Sequence, residues 1–559
     1  MSNQNITLFH NCRIITVDRD NSIVEAMAIF KDKIIAVGAE NDVRAKITSF
    51  KNKFIDKKIK IVEKNLEGTC IVPGFIDAHM HPAVYVFFKT QRDFSKVKSY
   101  SDLELLINEE KIKKCAEDWI IGINLLEEAF EDPSERYFPN RYDLDAICYD
   151  NPVLILRKDG HVCGVNSKCL KIIGIDKSNA KKITPESGEI RLDSEGEPTG
   201  IFTETATSIP LNLIPNPSSE TLRNAAKDFS KELSSFGITT CGGIVQIGEF
   251  GFSGKLGTIE YPLIRTLINE GLIEQDFVFY FITDKPKKLL RIKKYFLNRI
   301  GKEEKFVFGG IKCIADGTLG AFTAFMFEPF TDSPDNKKGF MVTNKKTLNI
   351  LFKESQNLGF QITCHAIGDR GNREVVNLYK NLLIKSENNN NINPLRHRIE
   401  HASVLNNVVL NDIAKLKLIL VCQPAFINSE YYWLKKRLGA QRIQYTYPFR
   451  TINDAGIILA GASDSPVESA NVLEAFHACV TRNGFIQEQA ITVYEALKMF
   501  TYNAAYALGQ ENLKGSLEKG KLADFVILEH DVLNYPSEKL ADIKILATYH
   551  RGQQIFTSN

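Results

Sequence analysis

From about residue 222 onward the chain repeats one pattern: an apolar stripe at helical spacing, a glycine or polar stop, then a short continuous apolar run. Leu222, Ala225, Ala226, Phe229, Leu233 and Phe236 form such a stripe, Gly237 ends it, and Ile238 to Cys241 follows as a strand. The unit returns at Leu348 to Leu358 with Gly359 and Gln361 to Cys364, and at Ile413 to Leu416 with Leu418 to Cys422. Continuous apolar strands are those buried on both faces, as in parallel sheets. Strands of this kind are predicted at Ile71 to Ile76, Ile238 to Gly242, Phe277 to Ile282, Gly310 to Ile314, Gln361 to Cys364, Arg398 to Glu400, Leu418 to Cys422 and Ile457 to Ala460. Eight β-α units predict an α/β fold closed into a (β/α)₈ TIM barrel, with its chemistry at the C-terminal ends of the strands.

A barrel of ~250 residues leaves much of the chain to place. Residues 5 to 70 alternate short β-type runs (Leu8, Ile14 to Val17, Met27 to Phe30, Ile34 to Val37) with polar turns and read as a small antiparallel sheet. Residues 510 to 559 return to β-type text at Ala523 to Leu528 and Ile543 to His550, so the two ends are expected to pair. The predicted division is 1–70 and 510–559 as terminal β structure around a barrel domain at 71–509. Residues about 83–215 exceed any βα connection and predict a subdomain inserted after the first barrel strand. Asn388 to Asn391 is expected to be a solvated, mobile loop.

Composition narrows the partners. Lys plus Arg (70) nearly cancels Asp plus Glu (68), which argues against nucleic acid or an anionic membrane as a partner. The start lacks a secretory pattern and no apolar stretch reaches the ~18 residues of a membrane span, so a cytoplasmic protein is expected. The 11 cysteines include no C-x-x-C pair and are expected to be reduced.

The histidines carry the chemistry. His79 and His81 follow the first strand as H-M-H, and residues i and i+2 share a side, so both imidazoles can reach one point on the barrel axis. His365 follows the fifth strand in CHAIGD, His401 the sixth in RIEHA, and Asp464 the eighth in AGASDSP. One such residue near a strand end is ordinarily structural. Five metal-competent side chains at the same end of four strands form the pattern of a divalent-metal site. Lys312 lies within the fourth strand in GGIKCIADGTLG. An ammonium there would suffer desolvation and repulsion from the metals. A carbamate made with CO₂ would instead be an anionic bridge between two metals; the alternative is an amine that leaves the site or binds a substrate oxygen.

Taken together, VPGFIDAHMHP, GIKCIADGTLGAFTA, CHAIGDRGN, RIEHA, ASDSP and LKGSLEKGKLADFVIL resemble the amidohydrolase superfamily, as do WIIGIN, DGHVCGVNS and GEPTGIFTETA in the insertion. Within it they are similar to the amidohydrolase-3 (YtcJ-like) branch that includes N-substituted formamide deformylases. The resemblance implies a barrel plus a β-sandwich built from both termini, two divalent metals of the zinc type, and a homodimer. It implies His79 and His81 on the more buried metal, Lys312 as the carboxylated bridge, His365 and His401 on the second metal, and Asp464 as ligand and catalytic proton acceptor. The implied reaction is cleavage of a non-peptide C–N bond in a small amide, formamide or N-acyl compound by metal-activated hydroxide. The family's DGS is DGT here (Asp316, Gly317, Thr318) and its GSD is ASD (Ala462, Ser463, Asp464), departures that bear on substrate fit.

Two rival readings are a cyclic-amide hydrolase or deaminase on the same scaffold and a metal-free scaffold protein. Deaminases of the superfamily carry H-x-x-E after the fifth strand, whereas this chain reads His365-Ala366-Ile367-Gly368; a scaffold would be expected to have lost ligands, and none is missing. Around the centre, His161, Asn166 and Glu204 either close over the site as a substrate-binding wall or order the insertion. Asp369 and Arg370 are expected to orient His365, with Arg370 also a candidate substrate contact. Arg482 either binds an anionic substrate group or lies on a solvated helix surface. Strand alternation points Glu400 away from the site, and His10, His397, His477, His530 and His550 read as structural. Tyr431, Tyr432 and Trp433 either touch an apolar substrate or pack in the core.

Overall fold

The computed structural model describes residues 5–53, 59–185, 188–248, 253, 257–297, 305–333, 335–384 and 392–558. The asparagine run Asn388 to Asn391 lies outside them. The barrel strands are β1 (Phe75–Met80), β2 (Ile238–Gln246), β3 (Asp276–Ile282), β4 (Phe306–Ile314), β5 (Gln361–Ala366), β6 (Arg398–His401), β7 (Ile419–Cys422) and β8 (Leu459–Gly461). All pair in parallel with their sequence neighbours, the expected α/β barrel order. The seam between β8 and β1 is bridged just beyond the strand ends: Asp464 N donates to His79 O and His81 N to Ser465 O, both at 2.8 Å.

The reason for continuous apolar strands is visible in β3, where every residue is buried. Phe277, Phe279 and Phe281 pack outward under the helices, and Val278, Tyr280 and Ile282 fill the barrel interior. The helix Ser219–Ser235 starts where the Ser218 hydroxyl accepts a hydrogen bond from Thr221 N at 3.1 Å. It buries Ala225, Ala226, Phe229 and Leu233 against the barrel. Burial of Phe229 alone contributes roughly 1.5–3 kcal/mol. The next strand can begin at once because Gly237 adopts φ +76°.

One predicted strand is two. Ile71 to Ile76 is divided at Pro73 and Gly74: Cys70–Pro73 runs antiparallel to Phe525–Leu528 in a terminal sheet, and only Phe75 onward belongs to the barrel. Gly74 permits the passage, since a Cβ there would lie 2.6 Å from Thr239 Oγ1. The N-terminal strands also form two sheets rather than one small antiparallel sheet. Lys33–Gly38, Ala26–Phe30, Ile6–His10 and Ile61–Asn65 make a four-stranded sheet, with the last pair parallel. The second sheet orders Gln553–Thr557, Ile545–His550, Phe525–Leu528, Cys70–Pro73, Arg13–Ile15 and Ile23–Val24, so both ends of the chain contribute to it. Phe9 of the first sheet packs on Phe525 of the second at 5.0 Å between ring centroids. The insertion carries its own six-stranded sheet, from Arg92–Asp93 to Pro198–Glu204, over a separate core.

A buried ionic knot fastens the C-terminal segment to the barrel. Lys514 Nζ lies 2.6 Å from Asp276 and 3.1 Å from Asp524, and Arg551 Nη2 lies 3.0 Å from Asp276. His550 adjoins it at 3.3 Å from Asp276. Asp276, Asp524 and His550 thus bring three ligand-type atoms together, but the two cations already neutralise them.

His397 is a second buried polar group with a measurable consequence. Ile362 N donates to its Nδ1 at 3.0 Å and its Nε2 faces Gln356 Oε1 at 2.6 Å, a neutral imidazole with both nitrogens used. Burial pulls its pKa from 6.5 to about 3. The unfolded chain therefore binds a proton in this window that the folded chain refuses. The stabilisation is complete above pH 6.5 and is lost as the pH falls to about 3, an effect on the order of 5 kcal/mol. Denaturant titrations of His397→Gln between those limits are expected to show a shallower loss of stability with acid than the wild type.

Candidate metal centre

Backbone irregularities bring the candidate ligands to one mouth of the barrel. The pairing of β1 with β2 shifts register between Cys241 and Gly243, leaving an extra residue in β1 between Asp77 and Met80, and His79 lies in that bulge. In β6, Ile399 packs in the outer core, so Arg398 and Glu400 face the interior. His401 would then face outward, but its φ of 69° and the 48° of Ala402 turn the chain so that its ring returns to the axis. Asp464 is likewise in the left-handed region, at φ 62°. Such backbone costs of order 1–3 kcal/mol per residue and concentrates at functional sites.

The geometry is close. Asp464 Oδ1 lies 3.2 Å from His79 Nε2 and 3.1 Å from His81 Nε2, and its Oδ2 lies 3.9 Å from His401 Nδ1. Lys312 Nζ is 3.4 Å from His79 Nε2. The His401 ring centroid lies 5.1 Å from that of His79 and 4.4 Å from that of His365. The donor set, neutral imidazoles around a carboxylate, suits a divalent metal.

His79, His401 and His365 are each held by a neighbour, and one of these neighbours corrects the sequence reading. Glu400 points inward, with Oε2 2.5 Å from His79 Nδ1 and Oε1 2.6 Å from Arg398 Nε. Burial would raise its pKa, but Arg398 and His79 outweigh that and hold it at about 2. Its carboxylate accepts the Nδ1–H of His79 and leaves the Nε2 lone pair facing the centre. Gln423 Oε1 serves His401 Nδ1 in the same way at 2.9 Å. His365 Nε2 lies 3.2 Å from Gly317 O. Burial drives the pKa of His401 down to about 3 and that of His365 well below the usual range, so both keep a lone pair at neutral pH. Asp316, not Asp369, sets the turn after β5, accepting hydrogen bonds from Ile367, Gly368 and Phe325 N at 2.8–3.0 Å. Asp77 ties β1 to the end of β8 through the hydroxyl of Ser463 at 2.5 Å.

The centre opens into a cavity of about 480 Å³. His161 lines it, with its ring centroid 5.9 Å from that of His365. Glu204 is fully buried behind it, 2.7 Å from His161 Nδ1, with backbone angles of φ 52° and ψ −132°. Trp433 also lines the cavity, whereas Tyr431 and Tyr432 are exposed.

Three candidate substrate residues lie elsewhere. Asn166 caps the helix Ser167–Ile173, and its amide group makes four hydrogen bonds, to Val153 N, Cys169 N, Cys148 O and Asn151 O. Arg370 stacks on Phe325 at 4.3 Å. Arg482 is neither on a solvated surface nor in the cavity; it is fully buried and donates to the carbonyls of Phe485, Tyr447 and Thr446. All three satisfy backbone or stack on rings, which residue type alone does not disclose.

A parallel eight-stranded barrel with this cluster at its C-terminal mouth has the architecture of the (β/α)₈ barrel enzymes, whose sites lie at that mouth. More narrowly, the chain belongs to the Amidohydrolase family, whose profile (Amidohydro_3) matches residues 63–556, as its motifs predicted. YtcJ of Bacillus subtilis (strain 168), named as an amidohydrolase, is 28% identical over 515 residues, covering 88% of this chain and 90% of that protein. The N-substituted formamide deformylase of Arthrobacter pascens is 25% identical over 566 residues, covering 97% and 96%. The crystal structure of an uncharacterised metal-dependent hydrolase from Pyrococcus horikoshii OT3 covers 95% of this chain and 99% of its own, with a TM-score of 0.72 at 24% identity, a likeness of fold. Among the described residues no helix is long and apolar enough to cross a membrane.

Proposed function

We propose that this chain hydrolyses a non-peptide C–N bond in a small amide, formamide or N-acyl compound, using two divalent cations of the zinc type. The observation that carries the reading is the Asp464 carboxylate within 3.2 Å of two imidazoles at the base of a largely apolar cavity. The formamide deformylase relative, aligned over nearly the whole chain, points to the same bond. His79, His81, His365, His401 and Asp464 would hold the cations, with Lys312 between them. When bound, the cations supply Lewis acidity, which can lower the pKa of water from ~15.7 to roughly 7 and polarise a carbonyl.

The remaining work falls to the chain's own groups. Asp464 takes the proton of the attacking water and delivers it to the departing nitrogen, so that the amine leaves neutral. Glu400 and Gln423 fix the tautomers of His79 and His401. The cavity wall shelters the apolar part of the substrate and keeps bulk water out. Lys312 is 4% exposed, and burial lowers its pKa against the opposing pull of Glu400 and Asp464. A lowered pKa supplies the neutral amine that can add CO₂ with loss of one proton to give a carbamate. A deaminase of the superfamily would carry Glu three residues after His365, where this chain has Gly368.

The experiment is a hydrolysis screen over N-formyl, N-acetyl and N-acyl-amino-acid compounds with zinc present, paired with elemental analysis. Release of amine, with about two metal equivalents per chain and loss of turnover on chelation, is the expected result. A folded, metal-loaded protein that cleaves none of these compounds would overturn the C–N reading.

A further inference from the structure

The helix Ala425–Arg442 turns one face to the cavity, with Phe426, Glu430 and Trp433 spaced four and three residues apart. Glu430 is the acid of that face, and its Oε2 accepts a hydrogen bond from the Tyr447 hydroxyl. Outside the metal centre the cavity is lined by the carboxylates of Asp159, Glu260, Glu430 and Glu468 and by three bases, Arg157, Lys158 and His161. All three are engaged. Arg157 is bound by Glu127, Glu128 and Asp159, Lys158 lies 2.7 Å from Glu468, and His161 lies 2.7 Å from Glu204. Among the described residues Glu430 thus has a hydroxyl for a partner and no ion-paired cation; Glu260, likewise without a cation, accepts a hydrogen bond from Gln246 N at 2.6 Å. Burial pushes its carboxyl up to about 8 in spite of the Tyr447 hydrogen bond.

A second observation points to a ligand at the same wall. The Ser403 hydroxyl lines the cavity on a residue 1% exposed and, among the described residues, reaches no hydrogen-bond geometry with a neighbour, although it lies near enough to Tyr447 to influence its hydroxyl. A bound polar group would give that hydroxyl a well-formed hydrogen bond. An anionic substrate group would meet excess carboxylate here. A cation would meet, beside the aromatic rings of Phe426 and Trp433, a buried carboxyl that its charge would draw into the ionised form.

We propose that this wall is a subsite for a positively charged nitrogen, so that the preferred substrate is an amide whose amine portion carries a second, cationic amino group. Glu430 takes the charge, the Phe426 and Trp433 rings flank it, and Ser403 accepts an N–H. The proposal rests on the amide-hydrolase reading above and adds the substrate class.

Three N-formyl amines of similar length test it: N-formylcadaverine (cationic), N-formylpentylamine (neutral) and N-formylaminohexanoate (anionic). The zinc-loaded enzyme is expected to favour the cation over the neutral compound in kcat/KM on the order of 10- to 100-fold, with the anion poorest. Glu430→Gln is expected to shrink that ratio to within about threefold, and Glu430→Asp to retain part of it. Calorimetric titration of metal-loaded Asp464→Asn with the same compounds reads the binding order where turnover is blocked. An unchanged cation-to-neutral ratio in Glu430→Gln melting at the wild-type temperature, or equal binding of all three compounds, would overturn the subsite. If the wild type cleaves none of the three, the formamide part of that reading falls, and the titration still decides the subsite.

Discussion

Asp464→Asn is expected to lower kcat by on the order of 10³- to 10⁴-fold while the protein keeps its fold and most of its metal. Asparagine retains one oxygen at the position of Oδ1, which contacts His79 and His81, and its shape fits the same turn at φ 62°. It cannot accept a proton. The loss should therefore fall on kcat more than on KM, because substrate still binds but the departing nitrogen is no longer protonated. Substrates with better leaving amines should be less affected, which a merely structural role for Asp464 would not produce. Steady-state kinetics across a series of amine leaving groups, with metal content measured on the same samples, checks both points. Normal turnover at unchanged metal content would remove Asp464 from the chemistry.

The second large effect is expected at Lys312→Ala, with activity falling on the order of 10³-fold, metal content falling with it, and short carboxylic acids restoring part of both. Lys312 is enclosed in the barrel, 3.4 Å from His79 Nε2, where a plain ammonium would oppose any cation held by the imidazoles. Truncation removes the amine and leaves space that a free carboxylate can enter. Loss of neither metal nor activity would exclude the bridge. A carbamate carbon signal from protein equilibrated with ¹³C-labelled bicarbonate, absent in the variant, would identify the group directly.

The strand count was legible because burial on both faces of a parallel strand demands a continuous apolar run, as in β3. The inserted subdomain was legible from length alone, since a βα connection rarely needs more than about a dozen residues. Glu400 was misread because alternation was extended through the end of β6, where His401 and Ala402 take left-handed backbone and break the period. Asn166 and Arg482 looked available for substrate because donors are counted from residue types, whereas their carbonyl partners at Cys148, Asn151, Phe485 and Tyr447 become known only once the chain has folded.

What the sequence by itself determined is therefore periodic or compositional: the helix and strand repeat, the order of the barrel, the family, and which imidazoles and carboxylates lie at strand ends. The tertiary structure decided what depends on contact across distant segments, including the pairing of Glu400 with His79, the division of the first strand between two sheets, and the acidic wall around Glu430. The physical reason is that periodicity reports burial of each segment against some apolar neighbour. A hydrogen bond or ion pair needs two particular atoms within about 3 Å, and that distance is set by how bulges and left-handed residues redirect the backbone.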